Sequence, residues 1–141
     1  MSADTERPLT DDEYRSLAQF RYALRRFLAF SEDAARQQGL TPSQHQLLLT
    51  VRGAEATGSA PSLTDIAEQL RVRLHSAGEL VGRAVEHRLI ERRPDPNDAR
   101  RVLVTTTTEG RAHLEELSRL HRRELRRFRT EMNHVLSTID E

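Results

Sequence analysis

Apolar residues along this chain recur mostly at every third or fourth position, which is the spacing of an amphipathic helix. The first such stretch predicts a helix over residues 12–38 that ends at Gly39. Its apolar stripe consists of Leu17, Phe20, Leu24, Phe27 and Leu28. Residues 1–11 lack this periodicity and are expected to form a loose acidic arm.

A second helix is predicted from Pro42 to about Arg52. Thr41 and Gln44 form the pattern of a capping box, and proline suits the first helical position, so two independent signals place the start. Residues 53–61 are small and polar and are predicted to form a loop.

The stretch from Ser62 to Thr108 predicts two shorter helices and a charged hairpin. The helices are separated by a break at Arg71 and Val72, and their apolar positions are Leu63, Ile66, Ala67 and Leu70, then Leu74, Ala77, Leu80, Val81 and Ala84. An arginine-flanked turn with two prolines, residues 92–101, then runs into a β-branched strand over residues 102–106. This order of elements is the outline of a winged helix-turn-helix.

The C-terminal stretch predicts one long helix, or two helices with a bend near Thr130. Thr107 can cap its start, and its apolar stripe consists of Leu114, Leu117, His121, Leu125, Phe128, Met132, Val135 and Ile139. With 36% hydrophobic and 31% charged residues, the chain is sparse in apolar surface for a self-sufficient globule. We therefore expect the first and last helices to pack together in a homodimer.

The chain resembles the MarR (multiple antibiotic resistance regulator) family, whose layout covers almost all 141 residues. The segments that carry the resemblance are residues 85–92 at the end of the predicted recognition helix, the wing residues 95–100 (Asp-Pro-Asn-Asp-Ala-Arg), and residues 106–110 before the last helix. The resemblance implies a mainly α fold with a small β-hairpin wing. It makes residues 1–141 a single MarR-like domain, with a DNA-binding lobe at residues 42–107 and dimerisation helices at residues 12–38 and 108–141.

The resemblance implies a sequence-specific transcriptional regulator, more often a repressor, that binds a pseudo-palindromic operator in double-stranded DNA. The helix after Arg73 is expected to enter the major groove, and Arg100 at the wing tip the minor groove, with Asp98 as its brace. Arg92, Arg93 and Arg101 either contact phosphates or pin the hairpin. The complete set of candidate DNA-binding residues is Arg73, His75, Ser76, Glu79, Arg83, Arg92, Arg93, Asp98, Arg100 and Arg101.

Three features depart from the family pattern. Arg88 stands where a glycine usually follows the recognition helix, so that helix either ends differently or places arginine in a left-handed conformation. Thr106 replaces a usual leucine. Gly78 and Gly82 lie inside the recognition helix, at a cost of about 1 kcal/mol each relative to alanine.

Charge and composition narrow the function. The net charge is zero, but eight arginines lie between Arg71 and Arg101, where DNA would bind. The chain has no cysteine, which excludes disulfides and thiol switching. We expect no cofactor, no metal and no membrane span, and a cytoplasmic location. No nucleophile elbow, phosphate-binding glycine loop or H-E-x-x-H motif is present, so we expect no enzyme.

Two further expectations concern regulation and the alternative function. Family members usually respond to small aromatic or anionic effectors, and the candidate pocket wall is Phe20, Leu24, His45, Leu49 and Arg111. The alternative function is a winged-helix interaction module that has lost DNA binding, which net neutrality and the recognition-helix glycines keep open. Salt-dependent binding to duplex DNA would distinguish the regulator from the module.

Overall fold

A computed structural model describes residues 7–139, and it is mainly α-helical with one small β-hairpin. In chain order the elements are α1 (Asp11–Gln37), α2 (Pro42–Ala56), α3 (Leu63–Leu70), α4 (Leu74–Glu86), β1 (Ile90–Asp95), β2 (Asp98–Thr106) and α5 (Thr108–Ile139). The last helix is continuous, without a bend at Thr130. No helix within residues 7–139 has the length and apolarity needed to cross a bilayer.

The chain divides into two compact units, of which the first is built from two separate segments and the second from one. The first comprises the described residues up to Ser31 together with those from Leu120 onward, and the second comprises Glu32–Arg119. Both α1 and α5 therefore contribute to both units. The division groups residues 12–31 with residues 120–139, which are parts of the two predicted dimerisation helices.

The first unit has a small core and several exposed apolar side chains. Ala23, Met132 and Val135 are buried, and Phe20 and Phe128 pack against them. Exposed leucine, isoleucine and tyrosine side chains lie on both helices, namely Tyr14, Leu17, Tyr22, Leu28, Leu120, Leu125, Leu136 and Ile139. Parts of both predicted stripes are therefore uncovered in the single chain.

The segment before α1 is more ordered than the sequence suggested. Residues 1–6 lie outside the described part, but Arg7 forms an ion pair with Glu13 at 2.6 Å. Thr10 and Glu13 form a reciprocal capping box, which is the Thr-x-x-Glu pattern that the loose-arm prediction overlooked. These bonds, that of Arg7 first, lower the pKa of Glu13 to about 2.

The second unit contains the larger core. Leu47, Leu48 and Val51 of α2 are fully buried. They pack with apolar residues from α3, α4, the hairpin and the start of α5, among them Ile66, Val81, Ile90, Val104 and Leu117. Helix α4 and the hairpin therefore pack on the same hydrophobic core.

Two details of this unit correct the sequence prediction. Helix α2 continues to Ala56 instead of ending near Arg52, because Gly53 is tolerated and the next residues, Ala54 to Ala56, favour helix. Leu74 was assigned to the apolar stripe of α4 but is 53% exposed, since it is the first residue of the helix and no element covers it.

Candidate nucleic-acid interface

Helix α4 begins at a tight turn after α3. Arg71 ends α3 in the left-handed region with φ 56°, and the Val72 amide donates to the Ala67 carbonyl at 3.0 Å. Arg73 is the N-cap of α4 and makes no side-chain cap hydrogen bond. The first amides of α4 therefore lack a side-chain partner, an arrangement that suits an anionic group such as phosphate.

The outer face of α4 carries the polar residues that the sequence singled out. All five candidates on this helix and its cap are exposed, namely Arg73, His75, Ser76, Glu79 and Arg83. His75 Nε2 lies 3.0 Å from Glu79 Oε1, and Arg83 Nη2 lies 3.8 Å from Glu79 Oε2. The Glu79 carboxylate is thus placed between two potential cations.

The end of α4 shows how Arg88 substitutes for glycine. Arg88 adopts φ 61°, and this left-handed residue lets the Leu89 amide donate to the Ala84 carbonyl at 2.9 Å. Of the two alternatives for Arg88, the strained conformation is the one adopted.

The structure also explains why a glycine is present at position 82 inside α4. A Cβ built on it would lie 3.3 Å from the Arg92 guanidinium, so the missing side chain leaves room for Arg92 to lie against α4.

The hairpin is antiparallel, with Arg92 opposite Val104 and Arg93 opposite Leu103. Its turn is shaped by two aspartates: Asp95 Oδ1 accepts from the Asn97 amide at 2.9 Å, and Asp98 Oδ1 accepts from the Arg100 amide at 3.0 Å. Asp98 therefore braces the backbone of Arg100 and leaves the guanidinium available.

Three arginines of the hairpin remain uncommitted. Arg92, Arg93 and Arg100 are exposed and take part in none of the ion pairs among residues 7–139. They are the hairpin cations that a phosphate could reach without first breaking an ion pair.

The base of the hairpin is fixed to the segment before α3. The Val104 amide donates to the Pro61 carbonyl at 2.9 Å, and Ser62 forms a single antiparallel bridge with Leu103. Arg101 pairs with Asp65 at 3.1 Å. This ion pair corresponds to the predicted role of Arg101 in pinning the hairpin.

Asp65 holds the hairpin through Arg101 but is absent from the candidates predicted from the sequence. It belongs to the capping box of α3, in which its carboxylate accepts from the Ser62 amide at 3.0 Å while Ser62 Oγ accepts from the Asp65 amide at 3.1 Å. These hydrogen bonds first, and then the charge of Arg101, lower the pKa of Asp65 below its ordinary range. The Ser-x-x-Asp spacing before an apolar run was the signal that could have identified it.

A second anchor ties α2 to the start of α5. Glu55 Oε1 accepts from the Thr106 hydroxyl at 2.6 Å, and Glu55 Oε2 pairs with Arg111 at 3.1 Å. Only 12% of the Glu55 side chain is exposed, so this carboxylate is largely withdrawn from solvent. No local pattern marks Glu55, because its partners lie 51 and 56 residues away.

The junction between α4 and α5 is close-packed. Thr107 Oγ1 donates to backbone carbonyls of Arg88 and Leu89 and accepts from the Gly110 amide at 2.9 Å, which confirms the predicted cap. A Cβ on Gly110 would lie 2.1 Å from the Leu89 carbonyl oxygen and 3.0 Å from Leu48 Cδ2. Only glycine fits there without a shift of the backbone.

The five candidate effector residues do not gather within one unit. Phe20 and Leu24 belong to the first unit, and the other three belong to the second. His45 is buried, Arg111 is engaged by Glu55 and Thr106, and Leu49 is 49% exposed beside a groove next to the hairpin. The assignment of these residues to one pocket stays a prediction.

The helix-turn-helix, the exposed α4 face and the arginine-bearing hairpin together define a winged helix-turn-helix protein. A family model described as the MarR family matches residues 38–101, which run from the end of α1 into β2. Over this segment the chain is similar to the MarR family. A comparison with curated protein sequences found no match.

Solved structures share this fold at low sequence identity. AbsC, a MarR family transcriptional regulator from Streptomyces coelicolor, is 20% identical with a TM-score of 0.74, over 95% of this chain and 90% of that one. A mutant of MarR from E. coli, complexed with operator DNA, is 22% identical with a TM-score of 0.65, over 84% and 89%.

BpsR from Bordetella bronchiseptica is 24% identical with a TM-score of 0.62, over 86% of this chain and 95% of that one. Its structure concerns regulation of DNA binding by 6-hydroxynicotinic acid. At these identities the likeness shows the fold alone.

Proposed function

We propose that this chain is a sequence-specific transcriptional regulator that binds double-stranded operator DNA as a homodimer and acts as a repressor. The observation that carries the proposal is that α4 and the hairpin pack on one shared core. The polar face of α4 and the arginines of the hairpin that form no ion pair are both exposed. The structure of the E. coli relative with operator DNA supports it by fold.

In this proposal, α4 enters the major groove with its N-terminal residues first. Arg73 and Ser76 contact phosphates, while His75 and Glu79 reach base edges. Glu79 exchanges its contact with His75 for a cytosine amine, so His75 and Glu79 act as a coupled pair in base selection. Arg83 retains the second contact and limits the loss of charge compensation at Glu79.

The hairpin supplies the second contact with DNA. Arg100 lies in β2 between the pairs Pro94–Val102 and Asp95–Asp98, where the register shifts. Asp98 holds its backbone, and its guanidinium takes part in no ion pair among residues 7–139, so its long side chain can enter the minor groove. Arg92 and Arg93 bind phosphates beside it. Arg101 stays with Asp65 and positions the hairpin instead of contacting DNA.

Dimerisation is proposed from the first unit. Leu17, Leu28, Leu125 and Ile139 are between 44% and 50% exposed, although they belong to two continuous apolar stripes. We propose that a second copy covers these stripes, and we expect the dimer to bind half-sites about one helical turn apart, as paired recognition helices do. Light scattering on a chain truncated after Arg111 is expected to show monomer or aggregate, and a well-behaved dimer would contradict the proposal.

A small-molecule effector is proposed as the means of release from DNA. The chain has no cysteine, which removes thiol oxidation, and the BpsR relative is regulated by an aromatic acid. Such a ligand acts only through its different affinity for the DNA-bound and DNA-free arrangements. Titration of salicylate and related aromatic acids against a fluorescent operator complex tests this, and release by dilute peroxide but by no small molecule would overturn it.

The decisive experiment begins with sequencing of the genomic fragments that the purified protein retains at physiological salt. Fluorescence anisotropy with the enriched site then measures affinity against salt concentration. A plot of the logarithm of the association constant against the logarithm of the salt concentration has a negative slope. For Arg100→Ala, the magnitude of this slope should decrease by about 0.9 for each wing that loses its contact.

Arg129→Ala, an exposed arginine on α5, is the matched control and should leave the slope unchanged. Equal slopes for wild type and Arg100→Ala would place Arg100 away from the DNA. Absence of salt-dependent binding to any duplex would favour the interaction module instead.

A further inference from the structure

An open groove of about 820 Å³ lies between the outer side of α2 and α3 and the turn of the hairpin. All of its lining residues belong to the second unit. None of the DNA contacts proposed above uses this groove, and of the five candidate effector residues only Leu49 lines it.

The size and apolar surface of the groove suit a small organic molecule. Pockets for such ligands commonly measure about 300 to 1,000 Å³. Leu49 lines the groove from α2 and is half exposed, and Leu103 lines it from β2. These two side chains offer an apolar surface to which a ring or short alkyl chain can bind.

The charge of the lining selects the class of ligand. Three carboxylates line the groove, those of Asp65, Glu68 and Asp95, against the single guanidinium of Arg101. Arg101 is already paired with Asp65 at 3.1 Å. Within residues 7–139, Glu68 and Asp95 take part in no ion pair, so an excess of two negative charges remains.

We propose that this groove binds a small organic cation, an amine or quaternary ammonium group attached to an apolar body. The cationic group lies between Glu68 of α3 and Asp95 of the hairpin, and the apolar body packs on Leu49 and Leu103. An anionic effector, as proposed above for release from DNA, would be repelled here, so this site is distinct in its chemistry. The ligand would bridge α3 and the hairpin turn.

The test uses the full-length protein without DNA, so its outcome is independent of the proposed regulatory function. A panel of arylalkyl amines from benzylamine to tryptamine is titrated while methyl NMR signals of Leu49 and Leu103 are followed. Each amine is paired with the alcohol and the carboxylate of the same skeleton. We expect saturable shifts of both leucines with amines, weaker binding of the alcohols, and none of the carboxylates.

Variants then locate the cation. Glu68→Gln should weaken amine binding about two- to fivefold, the size of one exposed ion pair, and Asp95→Asn about as much. Glu115→Gln, which removes an exposed carboxylate on α5 outside the groove, should leave binding unchanged. The proposal is overturned if no amine binds, if alcohols or carboxylates bind as well as amines, or if Glu68→Gln and Glu115→Gln behave alike.

Discussion

Gly110 provides the sharpest test of the packing between α4 and α5. In Gly110→Ala, the new Cβ would start 2.1 Å from the Leu89 carbonyl oxygen. An ordinary carbon–oxygen contact is about 3.3 Å, so one backbone must move by more than about 1 Å. Leu48 Cδ2, at 3.0 Å, blocks an easy shift in another direction.

Two opposing effects determine how much Gly110→Ala changes the free energy of unfolding. Alanine in a helix is favoured over glycine by up to about 1 kcal/mol. Overpacking against a rigid backbone costs about 3 kcal/mol, the upper end of the usual range, because the contact is with a carbonyl instead of a flexible side chain. The net loss of stability should be about 2 kcal/mol, and the clash decides the sign.

Urea denaturation at one fixed protein concentration measures this loss. With a slope of about 2 kcal/mol per molar urea, the midpoint of Gly110→Ala should fall by about 1 M. Gly53→Ala is the matched control, since a Cβ there meets nothing within 4 Å inside α2. It should be more stable than wild type by about 0.5 to 1 kcal/mol. A Gly110→Ala midpoint equal to or above that of wild type would refute the packing argument.

Three further predictions concern single residues in α3, in α4 and directly after α4. Replacing Asp65 with asparagine keeps an acceptor for the Ser62 amide but removes the charge facing Arg101, and should cost about 0.2 to 1 kcal/mol at neutral pH. Because folding lowers the pKa of Asp65, the stability advantage of wild type is complete above the ordinary pKa of 3.8 and should be lost in a denaturation series as the pH falls through the lower folded-state pKa. Replacing Arg88 with glycine relieves the left-handed strain at φ 61° and should stabilise the fold by about 1 kcal/mol in the same assay, whereas a loss would mean that the Arg88 side chain contributes more than the strain costs. Replacing Glu79 with glutamine should change which fragments are enriched from a random DNA pool, and an unchanged consensus would remove Glu79 from base selection.

Much of the second unit follows from local pattern. The break at Arg71, the capping box at Thr41 and the hairpin aspartates are signals within four or five residues of the feature they determine. What the sequence could not supply is the partner of each exposed charge. Arg101 and Arg111 carry the same side chain as Arg100, and only the fold shows that Asp65 and Glu55 hold the first two.

The extent of α2 and the order before α1 were missed for different reasons. Gly53 looked like a boundary because the residues after it are small, yet a glycine inside a helix costs only about 1 kcal/mol and packing overrides it. The Thr10–Glu13 box was readable from the sequence, but the loose-arm prediction relied on the absence of apolar periodicity and overlooked it.

The bonds that fix the hairpin also bear on the order in which the lobe folds. They join residues far apart in sequence: Arg101 is 36 residues from Asp65, and Thr106 and Arg111 are 51 and 56 residues from Glu55. During synthesis, α2 and α3 leave the ribosome well before these partners, so Glu55 stays unpaired until the start of α5 follows. Since each such closure carries an entropic cost, the hairpin should be the last part of the lobe to form and among the first to open in hydrogen exchange.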